Sequence, residues 1–225
     1  MNGQPAMIPT SRTNIEGGAR YAMSFEGAPL DIDYRWHQQV DDALAARIVD
    51  LMRHTSASAP IIGFAEEISD EAAAAYIADL RANLAAGKCR LLVISTGPGL
   101  LIGLCTLRRN LNPNNGHIAD LAKGMIRETH RGGLVLPAAF HEIALKCEAD
   151  GVEVVTLDVR AGTPAHKAWE RFGFQTWGVM PDYARARGVV HAGHFMMQRV
   201  ADLKARALAI MDTRRERATA GAAAA

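Results

Sequence analysis

An α/β fold, built as one mixed central sheet with helices on both faces in a single domain, is what this sequence predicts. Three observations carry that expectation. Ile32, Tyr34 and Trp36 alternate with polar residues, the period of a half-buried strand. Val40, Leu44, Ile48 and Leu51 recur at helical spacing. Residues 152–159 form a near-continuous apolar run with the β-branched content of a strand buried on both faces.

The elements follow in chain order. Residues 1–29 mix Gly, Pro, Ser and Asn without a sustained period and read as a flexible leader. Regular structure starts at Leu30, with a strand around residues 32–36 and a helix over 40–53. Residues 58–64 are a loop placed to lie over a pocket. Ser69 suits the cap of the next helix, which carries Asp70 and Glu71 in its first turn and ends near Gly87. Residues 89–95 and 100–107 form a hairpin around the turn Thr96-Gly97-Pro98-Gly99. After a polar loop, residues 117–126 make a fourth strand. A helix over 133–150 ends before Gly151, and residues 152–159 make the fifth strand. Pro164 suits the first turn of a helix over 164–172. Strands over 175–179 and 189–200 follow, then an extra helix over 201–217 and a disordered Ala-rich tail, residues 218–225. The order is β-α-α-β-β-β-α-β-α-β-β, and the domain proper covers residues 30–200.

Composition excludes several classes of function. The formal net charge is +1, from 25 basic and 24 acidic side chains, so neither nucleic acid nor a membrane surface is an expected partner. No apolar run reaches the roughly 18 residues of a membrane span, and no signal peptide is apparent, so a cytoplasmic location is expected. Cys89, Cys105 and Cys147 have no metal-ligand spacing and read as structural thiols. His191 and His194 leave opposite faces of a strand, and His141-Glu142 lacks the second His of a zinc helix, so no metal is expected. Arg214, Arg215 and Arg217 read as a solvated face.

Residues 117–174 carry most of the functional information. Arg131-Gly132-Gly133 opens a helix, and a helix start offers unpaired N–H groups and a positive dipole end to an anion. Asp158 ends the fifth strand, where open α/β sheets face their ligands; it is also suited to capping the turn at Ala161 and Gly162.

The order of elements, the Arg-Gly-Gly turn and the sequence WERFGF resemble the GCN5-related N-acetyltransferase (GNAT) superfamily over about residues 30–200. From Asn114 onward, NNGHIADLAKGMI, TLDVRAGTPAHKAWERFGF and GVMPDYARARGVVHAGHFMM are similar to blocks of tabtoxin-resistance-type acetyltransferases. The resemblance implies acetyl-CoA as co-substrate, bound between the fourth and fifth strands. Backbone groups of Gly124, Met125 and Ile126 would hold the pantetheine arm. The pyrophosphate would sit on the turn formed by Arg131, Gly132, Gly133, Leu134, Val135 and Leu136. Asp120 stands in the family's Glu position as a base or amine anchor. Asp158 would share the substrate site, with Tyr183 beside it. His117 keeps the family's His position, three strand residues from Asp120 and on the other face, and reads as structural.

The chain also departs from the family pattern. Leu134 and Leu136 replace the two glycines of the turn, so their side chains must point away for phosphate to reach the backbone. Trp169 occupies the position of the Tyr that protonates the departing thiolate, and Gly162 that of a usual Asn. Solvent or Tyr183 could supply the proton, or the chain could bind acyl-CoA without efficient transfer. The resemblance thus implies an acetyltransferase acting directly on the amine of a small amino-acid-like metabolite or antibiotic. The alternative is a non-catalytic CoA-binding module, a sensor or partner subunit. The extra C-terminal helix is a candidate surface for a homodimer.

Overall fold

A computed structural model of the chain describes residues 8–25, 28–58, 68–96, 99–186 and 188–223. Its strands are β1 (Ile8–Ile15), β2 (Gly18–Phe25), β3 (Ala28–His37), β4 (Cys89–Thr96), β5 (Leu100–Arg109), β6 (Ile118–Ile126), β7 (Val154–Arg160), β8 (Gln175–Ala186) and β9 (Val189–Arg199). They form one nine-stranded sheet of order β1-β2-β3-β4-β5-β6-β7-β9-β8. Every pairing is antiparallel except β6 with β7. The helices are α1 (Asp42–Ser58), α2 (Asp70–Ala85), α3 (Val135–Ala149), α4 (Pro164–Arg171) and α5 (Val200–Ala223). The mixed sheet with helices on both faces is the predicted fold class.

Two apolar cores lie on opposite faces of the sheet. One packs Ile48, Leu51 and Met52 of α1 and Ile77 and Leu80 of α2 against Leu91, Val93, Leu101, Leu104 and Met125. The other packs Phe140, Ile143 and Cys147 of α3 and Leu203, Ala207 and Met211 of α5 against Ile32, Leu92, Ile102, Leu121, Val155 and Leu157. The apolar stripe of α5 is thus packed within the chain.

Three sequence expectations need correction. The first is the leader. Residues 8–25 form the hairpin β1–β2, in register with β3 from Gly18↔Arg35 to Phe25↔Ala28. Ala19, Tyr21 and Met23 face the core, and polar side chains do the rest. Glu142, 3% exposed on α3, accepts two hydrogen bonds from Arg12, at 2.7 and 3.1 Å, and one from the Tyr21 hydroxyl at 2.7 Å. A buried carboxylate is tolerated only when paired and hydrogen-bonded in this way. Residues 1–7 lie outside the described part.

The second correction concerns the tail. α5 continues through Ala223, because alanine is the strongest helix former and nothing in residues 218–223 except Gly221 interrupts it. The third concerns β7, which is not buried on both faces. Val155, Leu157 and Val159 are buried, whereas Thr156 is half-buried and Asp158 exposed. Among the described residues, α1 and α2 pack on the sheet from β4 to β6. The loop expected at residues 58–64 falls outside the described residues beyond Ser58.

Candidate active site

β6 and β7 pair in parallel only from Ile118↔Val154 to Asp120↔Thr156. Both strands continue past that point, β6 to Ile126 and β7 to Arg160, so they diverge into a fork. A bulge in β6 accompanies the divergence. Ala122 pairs with Thr106 and Met125 with Leu104, so three steps along β6 match two along β5. Lys123 and Gly124 have no register partner on either neighbouring strand. Lys123 takes φ 55°, and among the described residues it is the one non-glycine with positive φ. The Thr106 hydroxyl fixes the bulge by donating to the Ala122 carbonyl at 3.0 Å.

Asp120 sits at the apex of the fork, and the Thr156 hydroxyl donates to its Oδ1 at 3.3 Å. Both line a cavity of about 640 Å³ whose floor includes Thr106, Arg108 and Lys123 and whose wall is α2 through Tyr76, Asp79 and Leu80. Burial and the nearby charge of Asp158 raise the Asp120 pKa, against the opposing pull of the Thr156 hydrogen bond and Arg108. A carboxyl moved up from the ordinary aspartate range is a stronger base than a free one. Burial and Arg108 lower the Lys123 pKa, with Asp158 acting against them.

Asp158 is two residues beyond the fork's last pair and on the same face as Asp120. The Tyr183 hydroxyl donates to its Oδ2. Burial first, and then the Asp158 hydrogen bond, push the Tyr183 pKa up, so its hydroxyl stays protonated. The sequence reading ends the strand at residue 179 and leaves Tyr183 in the connection; instead it lies in the second half of β8, within an irregularity between Met180 and Ala184. Its ring crosses Gly193, where an added Cβ would come within 2.1 Å of the ring. The three predicted catalytic residues are therefore brought together. Thr163, rather than Asp158, caps α4, accepting from the His166 N–H at 3.1 Å. His117 is exposed at the start of β6.

The predicted anion turn lies at the open end of the fork. Arg131 Nε donates to the Ile126 carbonyl at 2.8 Å, folding the turn back on β6. Gly132 takes φ 76°, a conformation that costs other residues. No side chain caps the start of α3. Leu134 is 0% and Val135 1% exposed, both within the core. Their side chains thus point away from the turn, as phosphate access requires, and Leu136 is half-buried against the same core. The first-turn N–H groups of Val135 and Leu136 face outward along the helix axis, whereas Pro137 has none to offer. The Tyr34 hydroxyl anchors this helix end by donating to the Val135 carbonyl at 3.0 Å. Arg214 of α5 donates to the Gly132 carbonyl at 3.0 Å, so the basic cluster on that helix is not purely solvated.

Gly124 and Trp169 bound the fork between these two ends. Gly124 is exposed, and a Cβ there would lie 3.9 Å from the Trp169 ring. Trp169 packs on Phe140 and Phe174, with ring centroids 5.3 and 5.4 Å apart. It is a wall of the fork with no ionisable hydroxyl. Met125 and Ile126 turn their side chains into opposite cores, leaving only backbone toward the fork. The cysteines are buried and unbonded. His194 stacks on His166 at 4.1 Å, away from His191. Among the described residues no helix is long and apolar enough to cross a membrane.

Sequence reasoning did not single out Lys123, Arg108 or Tyr76. Arg108 pairs in register with Asp120 across β5 and β6, which depends on an eight-residue connection. Only strand parity in a correctly registered hairpin could have found it.

No family model matches the chain, and no curated protein matches its sequence. Solved structures do match. Mycobacterium smegmatis RimJ in complex with CoA-disulfide superposes with a TM-score of 0.63 at 16% identity, covering 92% of this chain and 96% of that one. A ribosomal-protein-alanine N-acetyltransferase from Brucella melitensis gives 0.60 at 17% identity, over 74% of this chain and 98% of its own. An acetyltransferase of the GNAT family from Streptococcus pneumoniae gives 0.59 at 15%, over 74% and 99%. At these identities the similarity shows a shared fold.

Proposed function

We propose, from the premise of a GNAT-type acetyltransferase fold, that this chain transfers the acetyl group of acetyl-CoA directly to the amine of a small amino-acid-like metabolite or antibiotic. One observation carries the reading: Asp120, with its raised pKa, stands where the fork between β6 and β7 meets a polar cavity. A donor threaded through the fork and an acceptor in the cavity would meet at that carboxylate.

The residues present fit acetyl-CoA. The uncapped start of α3, with Leu134 and Val135 turned inward, leaves backbone N–H groups for a pyrophosphate. Acetyl-CoA supplies an activated acyl group as a thioester. Asp120 takes the proton from the acceptor ammonium, leaving a neutral amine. The bulge at Lys123 and Gly124 presents backbone outside the sheet ladder, suited to polarising a carbonyl held in the fork. Tyr183 holds the Asp158 carboxylate on the sheet face that Asp120 shares. Trp169 cannot donate a proton at neutral pH, and the leaving thiolate, with a reference pKa of about 8.5, can take one from water.

Thiol release from acetyl-CoA, measured across a panel of amines with a peptide N-terminus included, tests the proposal. Turnover that disappears in Asp120→Asn supports it; absence of acetyl-CoA binding by calorimetry would sink it. The second reading, a CoA-binding module without turnover, is favoured by the Trp169 wall. Tight CoA binding without thiol release on any amine would support that one.

A further inference from the structure

Arg108 and Asp120 are register partners on adjacent strands, and both line the cavity. Opposed side chains at such a position have Cβ atoms about 5 Å apart, and opposite charges there ordinarily close on one another. These two do not. Among the described residues no carboxylate lies within ion-pair distance of Arg108, and Asp120 takes its hydrogen bond from Thr156 instead. The Arg108 side chain lines the cavity from an exposed position on β5.

A second unmet donor lies beside it. The Tyr76 hydroxyl, on the α2 wall, is buried without a hydrogen-bond partner among the described residues. Burial pushes its pKa up to about 12, so it remains a donor throughout the neutral range. A buried hydroxyl without a partner costs free energy that a ligand can recover. Lys88 and Lys123 add positive charge to the same lining, against the single further carboxylate of Asp79. The cavity is thus acidic at the fork and donor-rich one strand away.

We infer that Arg108, with Tyr76, forms an anion subsite, and that the acceptor is a zwitterion whose amine meets Asp120 while its carboxylate, or an equivalent phosphonate or phosphinate, meets Arg108. This inference rests on the acetyltransferase reading above and names the acceptor that the same cavity would take. An ammonium and a carboxylate on one carbon bridge two side chains that face each other but stay apart. A neutral amine would leave the Arg108 and Tyr76 donors without an acceptor. Arg108 is then a specificity-determining residue, because a guanidinium binds a carboxylate through two parallel hydrogen bonds.

The test is a matched panel on the full chain loaded with CoA: the common L-amino acids, their α-carboxamides, the corresponding decarboxylated amines and aminophosphonates. Calorimetry reads binding, and thiol release from acetyl-CoA reads turnover. At least one acid should bind roughly 10- to 100-fold more tightly than its carboxamide, the range of a charge-assisted hydrogen bond. Arg108→Gln should erase that preference while leaving CoA affinity unchanged, and Tyr76→Phe should reduce it in part. Acid and amide bound or acetylated equally would overturn the inference while leaving acetyl transfer standing. Carboxylate-selective binding without thiol release would support the subsite and count against acetyl transfer. A phosphonate preferred over its carboxylate would identify the anion without altering the assignment of Arg108.

Discussion

The two faces of β6 and β7 differ more from each other than any two helices do. Toward α3, the strands present Ala119, Leu121, Val155, Leu157 and Val159, all buried. On the opposite face, the same strands present Asp120 and Thr156, half-buried in the lining of the cavity, and the exposed Asp158. One face holds the molecule together and the other carries its chemistry. Strand alternation separates the two tasks by a single residue, so a substitution can damage one with little effect on the other.

The sharpest contrast comes from neighbouring positions. Asp120→Asn should lower thiol release by about 10²- to 10⁴-fold, the contribution of a general base. Its melting temperature at neutral pH should hold or rise. The folded pKa of Asp120 is raised, so the protonated form is favoured at low pH and stability is lost as pH climbs through that ionisation. A melting temperature that falls steeply would show that Asp120 belongs with the structural face. Leu157→Ala should do the reverse. It empties a buried site and should cost about 2–5 kcal/mol in urea unfolding, with turnover per folded molecule retained.

A smaller effect separates the two carboxylates. Asp158 raises the Asp120 pKa by charge repulsion, so Asp158→Asn should move the Asp120 titration down toward the ordinary aspartate range. Carbon-13 NMR of the labelled carboxyl would follow it, and the rising acid limb of the rate profile should shift in the same direction. An unchanged titration would uncouple the two groups. The least effect is expected from Tyr183→Phe, which removes one hydrogen bond to a partly exposed carboxylate. Turnover should fall about fivefold or less, the worth of one such bond. A loss as large as that of Asp120→Asn would instead make Tyr183 the proton donor.

The same alternation explains what could be read from the sequence. The periods at Ile32, Tyr34 and Trp36 and along α1, and the Ser69 cap and Gly87 that bound α2, are local signals, and they place those elements within a few residues. Asp120, Asp158 and Tyr183 were legible through their neighbouring blocks, and the fold does bring them together. β1 was not legible. Its residues, Ile8–Ile15, are mostly polar, and its hold on the protein runs through Arg12 to Glu142, 130 residues away. The alternation of Ala19, Tyr21 and Met23 was present, but the Gly- and Pro-containing stretches around it masked it. Tyr183 falls outside the strand that the sequence predicts over 175–179, whereas β8 runs on through an irregularity that holds it. Arg108 and Lys123 escaped because register and bulges are properties of two strands, and one strand's sequence carries neither.

The bulge at Lys123 also changes the phase of β6. Before it, odd-numbered residues enter the α3-side core, as Ala119 and Leu121 do. After it, odd-numbered Met125 enters the α1–α2 core, and even-numbered Ile126 packs on the α3 side. β6 is therefore two half-strands joined out of step. Deleting one residue there would restore a regular ladder and leave Met125 and Ile126 on the sides they now take, because three steps along β6 already match two along β5. The extra residue is thus not required by the packing beyond it; what it adds is a stretch of backbone at Lys123 and Gly124 lifted out of the ladder beside the fork.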